Sequence, residues 1–423
     1  MNLTERDALY NWHPYTQHKT AQPPIAIVKG KDALLWDENN KEYIDAIASW
    51  WVNPFGHSNT VIADAIYKQL TTLEHVLFGG FTHEPAVKVS EKLMTLLPNN
   101  QKKIFFSDNG STSVEVAIKV ALQYFYNKGE KKTTIIAFEN AFHGDTFAAM
   151  AASGISFYTQ AFQGMFIDVV RIPVPVKGHE VASYVALREA IQNNNCAGFI
   201  FEPLVQGAAG MVMYEPEALD ELLKICQEHK VITIADEVMT GFGKTGKTFA
   251  CDYLQHQPDM MCLSKALTGG TIPMAITTFT QELFDAFYDE DINKALFHGH
   301  TFTANPTGCA AALASMELLH TDEMQNNIAR IHQSHLEFQK RIEQHPKVAT
   351  ARTLGVIFAL EIKTEGAASY YGTLRNKLYD FFIENGVILR PVGNIVYILP
   401  PYIITKEQLE KVYQVVESAL EIV

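Results

Sequence analysis

The sequence predicts an α/β fold: a mostly parallel central sheet with helices on both faces, joined to a smaller α+β domain. Three observations predict it. Apolar runs recur through the middle of the chain at "KKIFFS" (102–107), "TTIIAF" (133–138), "AGFIFE" (197–202), "VITIAD" (231–236), "MMCLS" (260–264) and "MAITTF" (274–279). They are apolar throughout instead of alternating, which is the pattern of strands covered on both faces. Helical patterns at 113–128 and 216–229 lie between them. The chain has 423 residues and is 47% hydrophobic, enough for a large core and more than one domain.

Taken in order, the first 55 residues contain "DALLWDENNKEYIDA", a hairpin pattern turning at Glu38–Asn40. Residues 56–320 carry the strand and helix alternation. Beyond 320 the pattern changes to helices at 321–343 and 368–385, a strand at "NIVYILP" and a final helix at 406–422. The domains are therefore drawn at 1–55, packing with the small domain, 56–320 and 321–423.

Composition narrows the function. The net charge is −13 and no Lys/Arg-rich block occurs, so the chain lacks the basic surface that nucleic acid requires. Five cysteines are scattered singly, with no C-x-x-C pair, as in a reducing compartment. The start, "MNLTERDALYNWHPYT", is polar and charged, unlike a signal peptide. No uncharged apolar run approaches the roughly 20 residues of a membrane span. A cytoplasmic protein without metal, membrane or nucleic-acid partners is expected.

"GFGKTGKT" (241–248) fits the P-loop pattern G-x-x-x-x-G-K-[ST]. A P-loop joins a strand directly to a long helix whose first N–H groups face phosphate. Here four residues separate the strand from Gly241, and only two helical turns fit before Pro258. The surrounding strand ends suit different chemistry. Asp236 ends one apolar run and Lys265 follows another. Gly110-Ser111 opens a helix after a third, and "NAFHGDT" follows a fourth with Phe142, His143 and Asp145. In a parallel sheet such carboxyl ends converge. A lysine amine forms a Schiff base with an aldehyde cofactor. A carboxylate keeps a pyridinium nitrogen protonated. An aromatic ring stacks on a pyridine face, and a helix N-terminus holds a phosphate. Together these describe pyridoxal 5′-phosphate. Taken singly, each residue has an ordinary reading as cap, turn or core; the conjunction carries the inference.

"ADEVMTGFGKTG", "LSKALTGG" and "HGHTFTANPTGCAAA" resemble the class III (omega) aminotransferases of PLP fold type I, over nearly the whole chain. The resemblance implies that the P-loop match is accidental. It makes Lys265 the Schiff-base lysine and proton carrier, and Asp236 the partner of the ring nitrogen. Cofactor contacts are implied at Gly110, Ser111, Phe142, His143, His300 and Thr301. "NWHPYTQ", "SWW", "FGGFTHEPAV", "EPLVQGAAGM" and "GVILRPVGNIVYILPPYII" look like the branch that aminates 8-amino-7-oxononanoate with S-adenosylmethionine in biotin biosynthesis. That likeness implies substrate contacts at Tyr15, Trp50, Trp51, Phe142, Asp145, Gly299 and Arg390, with Arg390 taking the substrate carboxylate. It also implies a homodimer whose Gly299–Thr301 loop reaches the neighbouring subunit's site. Three positions depart from the pattern: Phe142 and His300 replace the usual Tyr and Pro, and Lys244 replaces a common Arg. They bear on the amino donor, for which lysine is the alternative. Another omega-aminotransferase, a non-catalytic PLP-binding regulator and a P-loop ATPase are the competing functions.

Overall fold

The computed structural model describes residues 1–154, 159–364 and 373–423. Its main sheet has seven strands: β1 (Gln101–Ser107), β2 (Thr134–Phe138), β3 (Val169–Ile172), β4 (Cys196–Phe201), β5 (Ile232–Asp236), β6 (Met260–Leu263) and β7 (Ala275–Thr280). The spatial order is β1-β7-β6-β5-β4-β2-β3. Only β7 runs antiparallel to its neighbours; the other adjacent pairs are parallel. Six strands fall where the apolar runs predict. The seventh, β3, is a four-residue edge strand containing Arg171 and only partly buried, so it leaves no apolar run to read.

The helix Gly110–Asn127 follows β1 and packs one face of this sheet. Asn109 caps it and shares a reciprocal capping box with Thr112, which satisfies first-turn N–H groups that have no intrahelical partner. Its Val114, Ala117, Ile118 and Ala121 form one buried stripe against sheet residues such as Ile135 and Ile200. Burying a Val or Ile side chain contributes on the order of 1.5–3 kcal/mol. The small-residue helix Pro306–Leu319 lies against the turn after β6 and donates Ser315 Oγ to the Ala266 carbonyl at 2.8 Å.

The two ends of the chain meet. The expected hairpin is present as Leu34–Asp37 and Glu42–Asp45, with Ile27–Lys31 beside it. Val387–Ile388 then pairs in parallel with Glu42–Asp45, placing Ile388 opposite Asp45. A separate antiparallel sheet holds Val348–Leu354, Ile357–Ile362 and Ile395–Ile398; only its last strand was expected. The helices at Asp322–Ile342 and Lys406–Ala419 match the pattern, the latter ending in a 3₁₀ turn, Leu420–Ile422. The helix expected at 368–385 is seen as Thr373–Glu384, and residues 368–372 lie outside the described residues. Among the described residues no helix is long and apolar enough to cross a membrane.

Candidate active site

β5 ends at Asp236, whose side chain is buried. Its Oδ2 accepts from His143 Nδ1 at 2.8 Å and its Oδ1 from the Val238 amide at 3.1 Å. A carboxylate only accepts, so the imidazole is protonated at Nδ1 and its orientation is set by Asp236. His143 Nε2 is buried and has no partner among the described residues.

Lys265 follows β6 in a left-handed backbone conformation, φ 47°. Its Nζ stands 4.7 Å from the centroid of the Trp51 ring. Burial pushes its ammonium down to about 8, against the pull of the Asp236 and Glu202 charges. The turn after it is fixed by close approach: a Cβ on Gly270 would lie 2.7 Å from the Val52 carbonyl oxygen. The sequence "TGG" is therefore a packing requirement between this turn and the chain before Asn53.

These groups share a cavity of about 470 Å³, lined among others by Lys265, Asp236, His143, Phe142, Gly110 and Ser111. Ser111 Oγ lies 2.7 Å from Thr146 Oγ1 and accepts from the Thr146 amide at 3.0 Å. The loop after β2 is thereby tied to the helix start. Side chains are excluded where the loops close: a Cβ on Gly110 would meet Val238 Cγ1 at 2.6 Å, and one on Gly144 would meet Ser111 Oγ at 2.2 Å. A phosphate suits the helix start, a protonated pyridine suits Asp236, and an aldehyde suits a lysine of lowered pKa. The residues present fit pyridoxal 5′-phosphate.

A second cavity, about 270 Å³, shares Lys265, Trp51 and Phe142 with the first and extends to Tyr15, Trp50 and Arg390. The Arg390 guanidinium carbon lies 4.3 Å from the Trp50 ring centroid. Tyr15 meets Trp50 edge-on at 5.8 Å and donates its hydroxyl to Asp145 Oδ2. The predicted substrate residues Tyr15, Trp50, Trp51, Phe142 and Arg390 are thus brought together, with Asp145 held at their edge through Tyr15. Gly299, His300 and Thr301 line neither cavity of their own chain.

"GFGKTGKT" is a closed loop. Phe242 N donates to the Thr248 carbonyl at 2.6 Å, Lys244 is buried and turned inward to the Gly241 carbonyl at 3.2 Å, and only the four-residue 3₁₀ turn Ala250–Tyr253 follows. No N-terminus of a long helix faces a phosphate there, and Lys244 lines neither cavity.

Sequence reasoning missed Glu202 as a site residue. It is buried just past β4, and burial raises its carboxyl to about 7. Its two oxygens accept the amides of Phe142 at 3.1 Å and Gly207 at 2.9 Å, tying the aromatic platform to the loop that carries Ala208 into both cavities. The signal was a carboxylate ending "AGFIFE" on the strand beside Asp236. Tyr397 was also missed. It lines the second cavity and meets Trp51 edge-on at 5.9 Å, but its strand gives no sign of which face meets Trp51.

The sequence matches the family profile of the class-III aminotransferases over residues 15–420. It is 42% identical to the adenosylmethionine-8-amino-7-oxononanoate aminotransferase of Synechococcus elongatus, covering 97% of this chain and 98% of the relative. The Geobacter sulfurreducens protein of the same name is 35% identical, over 100% and 98%. Among solved structures, the adenosylmethionine-8-amino-7-oxononanoate aminotransferase of Methanocaldococcus jannaschii superposes with a TM-score of 0.94 at 31% identity, covering 99% and 98%. The omega transaminase of Pseudomonas jessenii in complex with PMP gives 0.92 at 27%, covering 100% and 98%.

Proposed function

The chain belongs to the class-III aminotransferases, and from that premise we propose that it converts 8-amino-7-oxononanoate to 7,8-diaminononanoate with S-adenosylmethionine as amino donor, in biotin biosynthesis. The observation that carries this reading is the second cavity. It is lined by an arginine over one aromatic ring, Trp50, and by the Lys265 amine over another, Trp51. That arrangement suits an apolar chain with a carboxylate at one end and a reacting ketone toward the other. The Tyr15–Asp145 pair at the edge of this cavity would take the substrate ammonium. Full-length relatives bearing this activity's name support the same reading.

The cofactor, pyridoxal 5′-phosphate, supplies an aldehyde that carries the amino group and a ring that withdraws electrons from it. This chain's residues do the rest. Gly110 and Ser111 would hold the phosphate at the helix start. Asp236, hydrogen-bonded to His143, would keep a proton on the ring nitrogen. Phe142 would offer its ring for stacking. Lys265, its amine lowered by burial to about 8, would be the nucleophile that holds the cofactor through its aldehyde. The same amine would be the group placed to hold and move a proton at the substrate carbon. Arg390 holds the keto acid so that its ketone faces Lys265.

Two further assignments rest on support of a different kind. The parallel pairing of Glu42–Asp45 with Val387–Ile388 supports grouping residues 1–55 with the unit 321–423, beside the large unit 56–320. A cytoplasmic setting is part of this reading; a homodimer, with Gly299, His300 and Thr301 completing the neighbour's site, is supported by their exclusion from their own chain's cavities. Exposed Leu77, Phe81, Phe297 and Phe302 are further support, being surface that a second copy would cover. Sedimentation of the purified protein as a monomer at micromolar concentration would remove the dimer.

Single-turnover absorption spectra test the donor. S-adenosylmethionine is expected to remove the borohydride-sensitive band near ~420 nm expected of the lysine-bound cofactor, and lysine is expected to leave it. The reverse pattern selects the lysine-using reading, which Phe142 favours because it lacks a hydroxyl for the donor.

A further inference from the structure

Trp50 and Trp51 belong to a turn of unusual hand. Ala48, Ser49, Trp50 and Trp51 have φ values of 46°, 54°, 98° and 72°, four successive non-glycine residues in the region that side chains disfavour. The turn closes with Trp51 N on the Ile47 carbonyl and Val52 N on the Ala48 carbonyl, both at 2.9 Å. On an ordinary strand, neighbouring side chains point to opposite faces. Here both rings line one cavity. Each supports a different cation: Trp50 lies under Arg390 at 4.3 Å, and Trp51 under Lys265 at 4.7 Å.

One buried group holds this turn. Asp45 ends the strand Glu42–Asp45, and its side chain has no exposure. Its Oδ2 accepts from Ser49 N at 2.8 Å, Ser49 Oγ at 3.1 Å and His57 Nε2 at 2.9 Å, and its Oδ1 accepts from Ile47 N at 3.2 Å. His57 Nδ1 lies 3.0 Å from Asn53 Nδ2, just beyond the turn. The strand that leads into Arg390 pairs alongside, with Ile388 opposite Asp45. The carboxylate therefore sits where the turn and the arginine's strand are aligned.

We propose that Asp45 is a positioning residue of the substrate site. By holding the left-handed turn, it fixes Trp50 and Trp51 and, through them, the span from Arg390 to Lys265. The proposal rests on the substrate reading above only in taking that span as the seat of an acid-ended chain. Four hydrogen bonds converging on one carboxylate supply what four disfavoured conformations require. Asn at position 45 keeps the shape but turns one acceptor into a donor that faces donors.

The test compares wild type, Asp45→Asn, Asp45→Asn combined with Ser49→Gly, and Ser49→Val, all cofactor-loaded. For Asp45→Asn, KM for 8-amino-7-oxononanoate is expected to rise about tenfold, while kcat falls less than about threefold and the cofactor band persists. Calorimetric binding of nonanoate, a plain acid of matching length, is expected to weaken by a similar factor. Adding Ser49→Gly should restore both to within about threefold of wild type, because glycine takes φ 54° without strain. Ser49→Val resists that conformation and removes the hydroxyl, so KM should rise about threefold; this variant carries the test if Asp45→Asn does not fold. Unchanged KM and nonanoate affinity in a folded variant, or losses that Ser49→Gly does not reverse, overturn the proposal. If wild type does not turn over the keto acid but the nonanoate pattern holds, the substrate reading fails and the role of Asp45 stands.

Discussion

Lys265 lines both cavities and Arg390 the second, and the two arrive by different routes. Lys265, Asp236, His143 and Ser111 all follow strands of one sheet within a continuous stretch of chain. Tyr15, Trp50, Trp51, Arg390 and Tyr397 come from the two ends of the chain, Trp50–Trp51 and Arg390 by way of a sheet that pairs residues 42–45 with 387–388. The cofactor half inherits its geometry from a buried parallel sheet, where each strand end is already aimed at the crevice. The substrate half needs its own devices: a braced turn, an edge-on aromatic pair and an arginine over a ring. On the proposed reading, the chemistry is fixed to a buried sheet, and substrate choice is placed where two remote segments meet.

Replacing Lys265 by Ala should separate the halves most sharply. We expect turnover to fall by at least about 10⁴-fold, since both the nucleophile and the proton carrier are lost, while acceptor binding at Arg390 survives. Turnover within tenfold of wild type in the folded variant would falsify the assignment of Lys265.

Asp236→Asn should lower the chemical rate by roughly 10²–10³-fold with cofactor retained, the scale set by losing one preorganised electrostatic partner. Because His143 acts through Asp236, His143→Gln should add little in the Asp236→Asn background. Fully additive losses in that double-mutant cycle would place His143 on the cofactor independently.

Arg390→Ala tests the opposite half. Keto-acid binding should weaken by about 2–5 kcal/mol, the range for truncating one partner of a desolvated charge pair. The donor half-reaction, followed by stopped-flow absorbance, should barely change. An equal fall in both half-reactions would make Arg390 structural and erase the contrast between the halves.

The pH dependence follows from the Lys265 amine, which burial lowers from 10.5 to about 8. In cofactor-free protein, the rate of capturing pyridoxal 5′-phosphate should climb with pH and level off near 8. The native state binds fewer protons than the unfolded chain between about 8 and 10.5, so this group's burial costs stability below 8, a cost recovered as pH rises through that window. A capture rate still climbing at pH 10 would contradict the buried setting of the lysine.

Phe142→Tyr is the mildest change. The ring stays in place between both cavities, and a hydroxyl returns. S-adenosylmethionine use should improve by a factor consistent with one hydrogen bond, about 0.5–1.5 kcal/mol, measured as kcat/KM for the donor. If there is no gain, the site already supplies that partner from elsewhere, and His300 of a second copy becomes the group to substitute next.

By itself the sequence determined the strand-rich centre and the cofactor half. Apolar runs mark buried strands, and "TIAD", "LSKALTGG" and "DNGS" place chemistry-bearing residues directly at their ends, so local pattern and function coincide. It also exposed the weakness of the P-loop match, since the missing long helix is a local fact. Only the tertiary structure decided the rest. Glu202 looked like a strand terminus until its two oxygens met amides from separate loops. Asp45 looked like the end of a hairpin until four donors converged on it. Tyr397 alternates in its strand with no sign of which face meets Trp51. The Glu202–Phe142 and Tyr397–Trp51 contacts join residues far apart in the chain, and the near neighbours of Asp45 reach it only because the backbone between them turns left-handed; no periodicity or local spacing records either.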